Sequence, residues 1–278
     1  MVKSIAVLVP VYARDNPLWF QECLNSIFFQ LPIAECEVHV YIGIDGPISQ
    51  EIELIISQYS LLVFRVIRND VNLGLATNLN NLINSLCDES IIFRMDADDR
   101  CINERFHRQL EFLIANPLID ILGASMLIID ENGNRLPGIS SYPLDHTGIL
   151  RYFPFGNPIA HPVVCVRRHV LEQLNGYRIK YFPEDLDLWY RAAVSGYKFA
   201  NLQMPLLEFR IPGKIARKRG RSWALREFNV NLHGLWHLRR IYLIFIPLIR
   251  LFVRLSPSFL INFIYYLRYK YSGHNFGR

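Results

Sequence analysis

Residues 90–100 read SIIFRMDADDR. The first half is apolar: Ile91, Ile92, Phe93 and Met95 form a run of strand length, β-branched and aromatic, which is the signature of a buried strand. The second half places Asp96, Asp98 and Asp99 within four positions, between Arg94 and Arg100. A buried strand that delivers carboxylates to its carboxyl end suggests an open α/β sheet, because ligands of such sheets bind just beyond the carboxyl ends of the strands.

Upstream, the same alternation repeats. Strand-length runs SIAVLVPVY (4–12), EVHVYIGID (37–45) and LVFRVIR (62–68) are separated by stretches of helical period, PLWFQECLNSIFFQ (17–30), SQEIELIISQYS (49–60) and LATNLNNLINSLC (75–87). This pattern predicts a mostly parallel, Rossmann-like central sheet flanked by helices. Asn16 and Pro17 fit an N-cap and first helical position. Polar residues collect at the strand ends, at Tyr12, Asp45, Asn69, Asp70 and the Asp96 group, and predict a pocket there. Asn72 and Gly74 suit a turn that demands a glycine dihedral.

Downstream the pattern is mixed. NERFHRQLEFLIANP (103–117) is helical, with a capping-box-like start at Asn103 that lacks only the Glu. DILGASMLIIDENGNRL (120–136) reads as strand, Asn132-Gly133 turn and return strand, and AHPVVCVRR (160–168) as another strand. PEDLDLWYRAAVSGY (183–197) is a helix that opens on acids and closes at Gly196.

At 278 residues and 51% hydrophobic, the chain can bury a sizeable core as one large domain, or as one domain with an appendage. Its five cysteines are odd in number and scattered, with no CxxC, which argues against a disulfide framework or a zinc cluster and for reduced thiols in a cytoplasmic protein. The N-terminus has no small-residue cleavage site after its apolar stretch, so a first strand is expected rather than a secretory signal. Charge is divided unevenly: residues 210–278 carry 14 Lys+Arg against one acid, Glu227, a net of +13, whereas residues 1–209 carry 16 against 24, a net of −8.

In an extended segment, residues two apart face the same way, so Asp96 and Asp98 are expected to point together. Adjacent carboxylates repel and take up protons unless a cation neutralises them. Oxygen donors without nearby His or Cys suit Mg²⁺ or Mn²⁺. From these residues alone an acidic turn paired with Arg94 and Arg100 is an equally good reading.

Six blocks occur in the order seen in one family. SIAVLVPVY, Asp45 closing the second strand, NLGLATNLN (72–80), RMDADD (94–99), GNPIAHPVVCVRR (156–168) and EDLDLWYR (184–191) together resemble the inverting family-2 glycosyltransferases of GT-A fold, of the bacterial O-antigen and exopolysaccharide type. The resemblance spans roughly residues 4–210. It implies a GT-A catalytic domain over 1–210, with a nucleotide-sugar half to about residue 100 and an acceptor half over 101–210, followed by a C-terminal basic, amphipathic helical region over 211–278.

Position by position, the resemblance implies that Pro10 and Tyr12 line the nucleoside pocket and that Asp45 accepts a hydrogen bond from the uracil of a UDP-sugar. Asp96 faces the ribose and the metal sphere, Asp98 is the principal ligand of Mn²⁺ or Mg²⁺, and Asp99 sits near the donor sugar. Asp185 is the general base, with Glu184 beside it at the acceptor. The implied activity is metal-dependent, inverting transfer of a hexose from UDP-glucose or UDP-galactose to a polyprenyl-diphosphate-linked sugar. For 184–187 an unspecialised account also exists, since acids stabilise any first helical turn; the other blocks favour catalysis at Asp185, while Asp187 reads as a salt-bridge or capping residue. His161 is either a histidine near the acceptor or a core histidine bonded to a backbone carbonyl. The sequence departs from the usual pattern in VYARDN (11–16), where Asn commonly follows the tyrosine, and in IDGP (44–47).

In the tail, KIARKRGR (214–221) carries five positive charges in eight residues. No nucleic-acid recognition motif accompanies it, so no nucleic-acid partner is expected; a loop over the donor diphosphate or a patch facing anionic lipid are the alternatives. Residues 241–271 are apolar but interrupted by Arg250, Arg254, Pro247 and Pro257, so no run reaches the ~18 residues of a membrane-spanning helix. Aromatics with Arg239, Arg240, Arg250, Arg254, Arg268 and Lys270 suit helices lying in the headgroups of an anionic membrane surface, which implies a peripheral, monotopic enzyme on the cytoplasmic face of the inner membrane. The alternative is packing on the catalytic domain or on a second copy of the chain in a homodimer. Two other classes compete for the whole chain: a non-catalytic, membrane-associated adaptor that retains a sugar-nucleotide fold, and a nucleotidyltransferase, although PVYARDNP has no glycine for the loop the latter needs.

Overall fold

The computed structural model describes residues 2–33, 36–211 and 221–255. Most of the basic cluster (Lys214, Arg217, Lys218 and Arg219) and the end of the tail, with Arg268 and Lys270, lie outside the described residues.

Ten elements come from the first half of the chain: β1 (Ser4–Tyr12), α1 (Pro17–Phe28), β2 (Glu37–Asp45), α2 (Gln50–Gln58), β3 (Arg65–Asn69), α3 (Leu75–Asn84), β4 (Ile91–Arg94), β5 (Arg100–Cys101), α4 (Arg105–Ala115) and β6 (Ile121–Ile129). The second half adds β7 (Arg135–Ser140), α5 (His146–Tyr152), β8 (Cys165–Arg167), α6 (Arg168–Gln173), α7 (Glu184–Val194), β9 (Phe199–Arg210), α8 (Arg221–His237) and α9 (Phe245–Leu255). The strands form one sheet in the order β3-β2-β1-β4-β8-β6-β9-β5, with β7 paired to β6. The expected parallel alternation holds across β3-β2-β1-β4. Beyond β4 the sheet is mixed, because β8 runs antiparallel to both β4 and β6 while β9 returns parallel to β6.

Both faces of the sheet are covered, which is why β1 reads as a continuous apolar run rather than an alternating one. Ile5, Val7, Val9 and Val11 pack with α1, α2 and α4, whereas Ala6 and Leu8 pack on the opposite face with residues of α3, α6 and α7. Asn16 caps α1 as its sequence suggests, accepting from the Leu18 amide at 2.9 Å, with Pro17 as the first helical residue. The start of α4 corrects the reading of Asn103. Asn103 and Glu104 both take left-handed backbone angles, the helix begins at Arg105, and the Asn103 side chain donates to the Pro205 carbonyl at 2.9 Å instead of capping. Arg105 is fully buried and donates to the Arg94 carbonyl at 2.7 Å, so tertiary bonding sets this boundary.

The tail packs on the domain through a close approach. Asn231 on α8 accepts from the Tyr190 hydroxyl on α7 at 2.9 Å, and a Cβ at Gly234 would lie 2.2 Å from the Tyr190 ring. Gly234→Ala is therefore expected to destabilise the chain by about 1–3 kcal/mol through overpacking. Thermal melting checks this, and an unchanged transition would mean that α8 does not dock there.

Candidate active site

Two clefts open at the carboxyl ends of the parallel strands. The first, of about 510 Å³, is lined by Pro10, Val11, Tyr12, Asp15, Asp45 and Asp98 among others. The second, of about 400 Å³, is lined by Arg94, Asn157, His161, Glu184 and Asp185 on the domain side and by Trp223, Glu227, Arg250 and Arg254 from the tail. Both share Leu75, Asp96 and Phe209, so Asp96 stands where the two meet.

Asp45 ends β2 and is 4% exposed. Its Oδ1 accepts from the Leu73 amide at 2.8 Å and from Asn69 at 3.1 Å, and its Oδ2 accepts from the Gly74 amide at 2.8 Å. The aspartate thus holds the loop leading into α3, and among the described residues Oδ2 accepts from the Gly74 amide alone, which leaves it a further lone pair. Gly74 sits at φ 87°, the left-handed region that the turn requires. Pro10 and Tyr12 line the same cleft, with Tyr12 41% exposed.

Asp96, Asp98 and Asp99 come together, but not along an extended segment. Residues 96–99 form a turn closed by the Asp99 amide on the Asp96 carbonyl at 3.4 Å, and it brings oxygens of all three carboxylates within 4.8 Å of one another. Asp99, expected beside the donor sugar, is fully buried and lines neither cleft. Its Oδ1 accepts from the Arg210 amide at 2.9 Å, and its Oδ2 has no partner among the described residues. Burial, with repulsion from Asp96 second, raises the Asp98 carboxyl to about 6, and burial, then Asp96 and Asp98, raises Asp99 well above the usual carboxylate range. Arg94 pairs with Asp96, as the acidic-turn reading proposes, but Arg100 turns away and pairs with Glu208 at 2.8 Å.

Arg210, at the end of β9, is the residue that sequence reasoning missed in this turn. Besides its amide on Asp99 it donates through Nε to the Asp98 carbonyl at 2.9 Å, pairs with Glu22 and lies over the Trp19 ring at 5.0 Å. No local pattern connects it with a turn 111 positions away. Asp15 was missed too, although it falls in the departing VYARDN segment. It lines the first cleft, and burial pushes its carboxyl up to about 7.

Across the second cleft, α7 presents Glu184 and Asp185 in its first turn. Asp185 accepts from its neighbour's amide, Leu186, at 2.8 Å and from Asn157 Nδ2 at 2.5 Å, so its carboxylate is held in one orientation. Burial raises it above the usual carboxylate range. Asp187 turns away and pairs with Arg178 and Arg191, the salt-bridge role expected of it. His161 also lines the cleft, but its Nε2 meets the Tyr177 hydroxyl at 2.8 Å rather than a backbone carbonyl. Burial, and secondarily Arg94, holds this imidazole well below its ordinary range, hence neutral.

Glu184 is raised from 4.5 to about 7, first by burial and then by Asp185. The folded chain therefore keeps a proton that the unfolded chain releases above pH 4.5, so this group favours folding in acid and opposes it increasingly as pH rises to about 7. Glu184→Gln is expected to match the wild type in stability at pH 4.5 and to exceed it at pH 8 by up to about 3 kcal/mol. Denaturant unfolding at the two pH values measures this, and equal stability at pH 8 would contradict it.

The tail arginines require a correction. Arg250 and Arg254, expected among lipid headgroups, both pair with the buried Glu227, Arg250 at 2.9 Å, and Arg254 stacks over the Trp223 ring at 4.8 Å. A single acid thus engages two arginines, and the shortage of acids in the tail does not by itself argue for lipid. Among the described residues no helix is long and apolar enough to cross a membrane.

Comparison with known proteins places this geometry. The profile of the family described as "Glycosyl transferase family 2" matches residues 6–174. The chain is 29% identical over 265 residues to the amylovoran biosynthesis glycosyltransferase AmsE of Erwinia amylovora, covering 94% of this chain and 97% of that protein. It is 28% identical over 269 residues to the Escherichia coli UDP-Gal:alpha-D-GlcNAc-diphosphoundecaprenol beta-1,3-galactosyltransferase, covering 94% and 95%. Among solved structures, S. aureus TarS 1–349 in complex with UDP superposes with a TM-score of 0.65 at 16% identity, covering 87% of this chain and 69% of that one. The fold is that of the GT-A glycosyltransferases.

Proposed function

This chain belongs to glycosyl transferase family 2, and from that premise we propose that it is a metal-dependent, inverting hexosyltransferase. Its donor is a UDP-sugar, UDP-glucose or UDP-galactose, and its acceptor a sugar on a polyprenyl diphosphate, in the building of O-antigen or exopolysaccharide units. The observation that carries this reading is the position of Asp96 between two clefts, one lined by Tyr12, Asp45 and Asp98 and the other by Glu184 and Asp185. The galactosyltransferase relative, whose name gives a UDP-Gal donor and a diphosphoundecaprenol acceptor, supports the choice of substrates.

The acidic turn fits a hard divalent cation. Three carboxylates within 4.8 Å resist ionising together, and a buried Asp99 oxygen lacks a partner among the described residues. Asp98 and Asp96 would hold Mn²⁺ or Mg²⁺. Such an ion, when bound, neutralises charge gathering on the leaving diphosphate. Asp185, fixed by Asn157 and the Leu186 amide, takes the proton from the acceptor hydroxyl as its oxygen bonds to the anomeric carbon. The bond from that carbon to the UDP oxygen breaks on the opposite face, and UDP leaves with the electron pair. Glu184 adds negative charge near an oxocarbenium-like transition state once deprotonated.

On this reading residues to about 100 serve the nucleotide-sugar, 101–210 the acceptor, and 211–278 the membrane. Exposed Trp236, Tyr242, Phe245, Ile249 and Phe252 support peripheral attachment at the cytoplasmic face of the inner membrane. The test is UDP release by the full chain from UDP-glucose and UDP-galactose, with a GlcNAc-diphospholipid acceptor, in Mn²⁺ or in EDTA. Release that needs metal and both substrates, with an inverted linkage by NMR, is expected. No metal-dependent release across UDP-hexoses and lipid-linked acceptors would favour the non-catalytic adaptor.

A further inference from the structure

Helix α9 carries apolar residues on its outer side as well as its inner one. Phe245, Ile249 and Phe252, on one stripe at 3.6 residues per turn, are 53%, 59% and 63% exposed. Arg250 and Arg254 lie on the opposite side and line the second cleft, where they meet Glu227. Arg250 and Arg254 thus share the inward side with buried Pro247 and half-buried Leu251, while Phe245, Ile249 and Phe252 face outward. Two guanidinium groups share one carboxylate, which leaves an excess positive charge on this wall. Across the cleft stand Asp96, Glu184 and Asp185, with Arg94 paired to Asp96. The arginines therefore form the anion-attracting end of a cleft whose other end is acidic.

We propose that Arg250 and Arg254 bind the diphosphate of the lipid-linked acceptor, which displaces Glu227 as their counter-ion; this rests on the acceptor class proposed above. Guanidinium forks match phosphate oxygens in pairs, and charge-assisted bonds of this kind are the strong ones. Trp223, under Arg254, gives the site a rigid wall. The location favours the acceptor's diphosphate over the donor's. Both arginines line the cleft that holds Asp185, and neither lines the cleft of Tyr12, Asp45 and Asp98. A prenyl chain leaving the diphosphate departs beside the helix that turns its apolar stripe outward.

Farnesyl diphosphate, titrated against the full-length chain by calorimetry with farnesol as the uncharged control, tests the site. Arg250→Ala and Arg254→Ala are each expected to weaken farnesyl diphosphate binding at least about tenfold, and to leave the affinity for UDP with Mn²⁺ within about twofold. Glu227→Gln is expected to tighten farnesyl diphosphate binding several-fold, a gain that misfolding cannot produce. Unchanged farnesyl diphosphate affinity in both arginine variants overturns the proposal. So does a parallel loss of UDP affinity, which would assign the arginines to the donor. Displacement of farnesyl diphosphate by phosphatidylglycerol vesicles at equal headgroup concentration would make the site a general one for anionic lipid, and also overturns it. These are binding measurements, so they can fail while the wild type still transfers sugar to a lipid diphosphate, and they can succeed where transfer fails.

Discussion

Asp98→Asn is expected to lower sugar transfer by at least about a thousandfold, to abolish tight Mn²⁺ binding, and to leave the chain at least as stable as the wild type. The three effects share one cause. Asp98 is raised to about 6 by its burial and by Asp96, so ionising it costs more in the folded chain than in an unfolded one, a cost that a bound cation would offset. Relative to an unfolded chain, a carboxylate raised in this way opposes folding above its ordinary range, increasingly as pH climbs to about 6, and an uncharged amide removes that opposition. The amide also removes the negative charge that a hard cation needs. A thousandfold in rate corresponds to about 4 kcal/mol of transition-state stabilisation, a reasonable share for Lewis-acid neutralisation of a departing diphosphate. Mn²⁺ titration, steady-state rates and denaturant unfolding at pH 7.5 measure the three. A variant that keeps metal-dependent transfer within tenfold of the wild type would remove Asp98 from the metal site.

Asp185→Asn separates binding from chemistry. The asparagine can still accept from the Leu186 amide, and the first cleft is untouched, so UDP affinity with Mn²⁺ is expected to stay within about twofold. Loss of a positioned general base lowers kcat by about a hundred- to ten-thousandfold. In the wild type, burial holds the Asp185 carboxyl high and its partner Glu184 at about 7, so transfer should rise with pH across this range as the pair loses its protons. The variant should keep at most the part of this rise that Glu184 supplies. Rates against pH for the two proteins are the measurement, and full activity of Asp185→Asn would dismiss it as the base.

Much of the first hundred residues was legible locally. Continuous apolar runs separated by helical periods anticipated β1, β2, β4 and the helices between them, because a strand buried on both faces has no polar side to show. Asn16, Pro17 and Gly74 marked their boundaries for the same local reason, since caps and left-handed turns are decided by a residue's own chemistry. The acidic strand end was legible as a cluster, but not its geometry. The extended-segment argument paired Asp96 with Asp98, whereas the turn also draws in Asp99 and buries it against Arg210. Likewise, Arg100 flanks the aspartates in sequence and yet faces Glu208.

Periodicity and capping act over a few residues, so the set of elements and the chemical character of the strand ends are written locally along the chain. Which side chains converge there follows from the packing of distant segments. Arg210 reaches the turn at 96–99, Asn157 orients Asp185, and Glu227 brings Arg250 and Arg254 to the cleft wall, at separations of 111, 28, 23 and 27 residues. Such contacts depend on how the sheet and helices pack in three dimensions. Hydrogen bonds and ion pairs between distant residues leave no periodic trace along the chain.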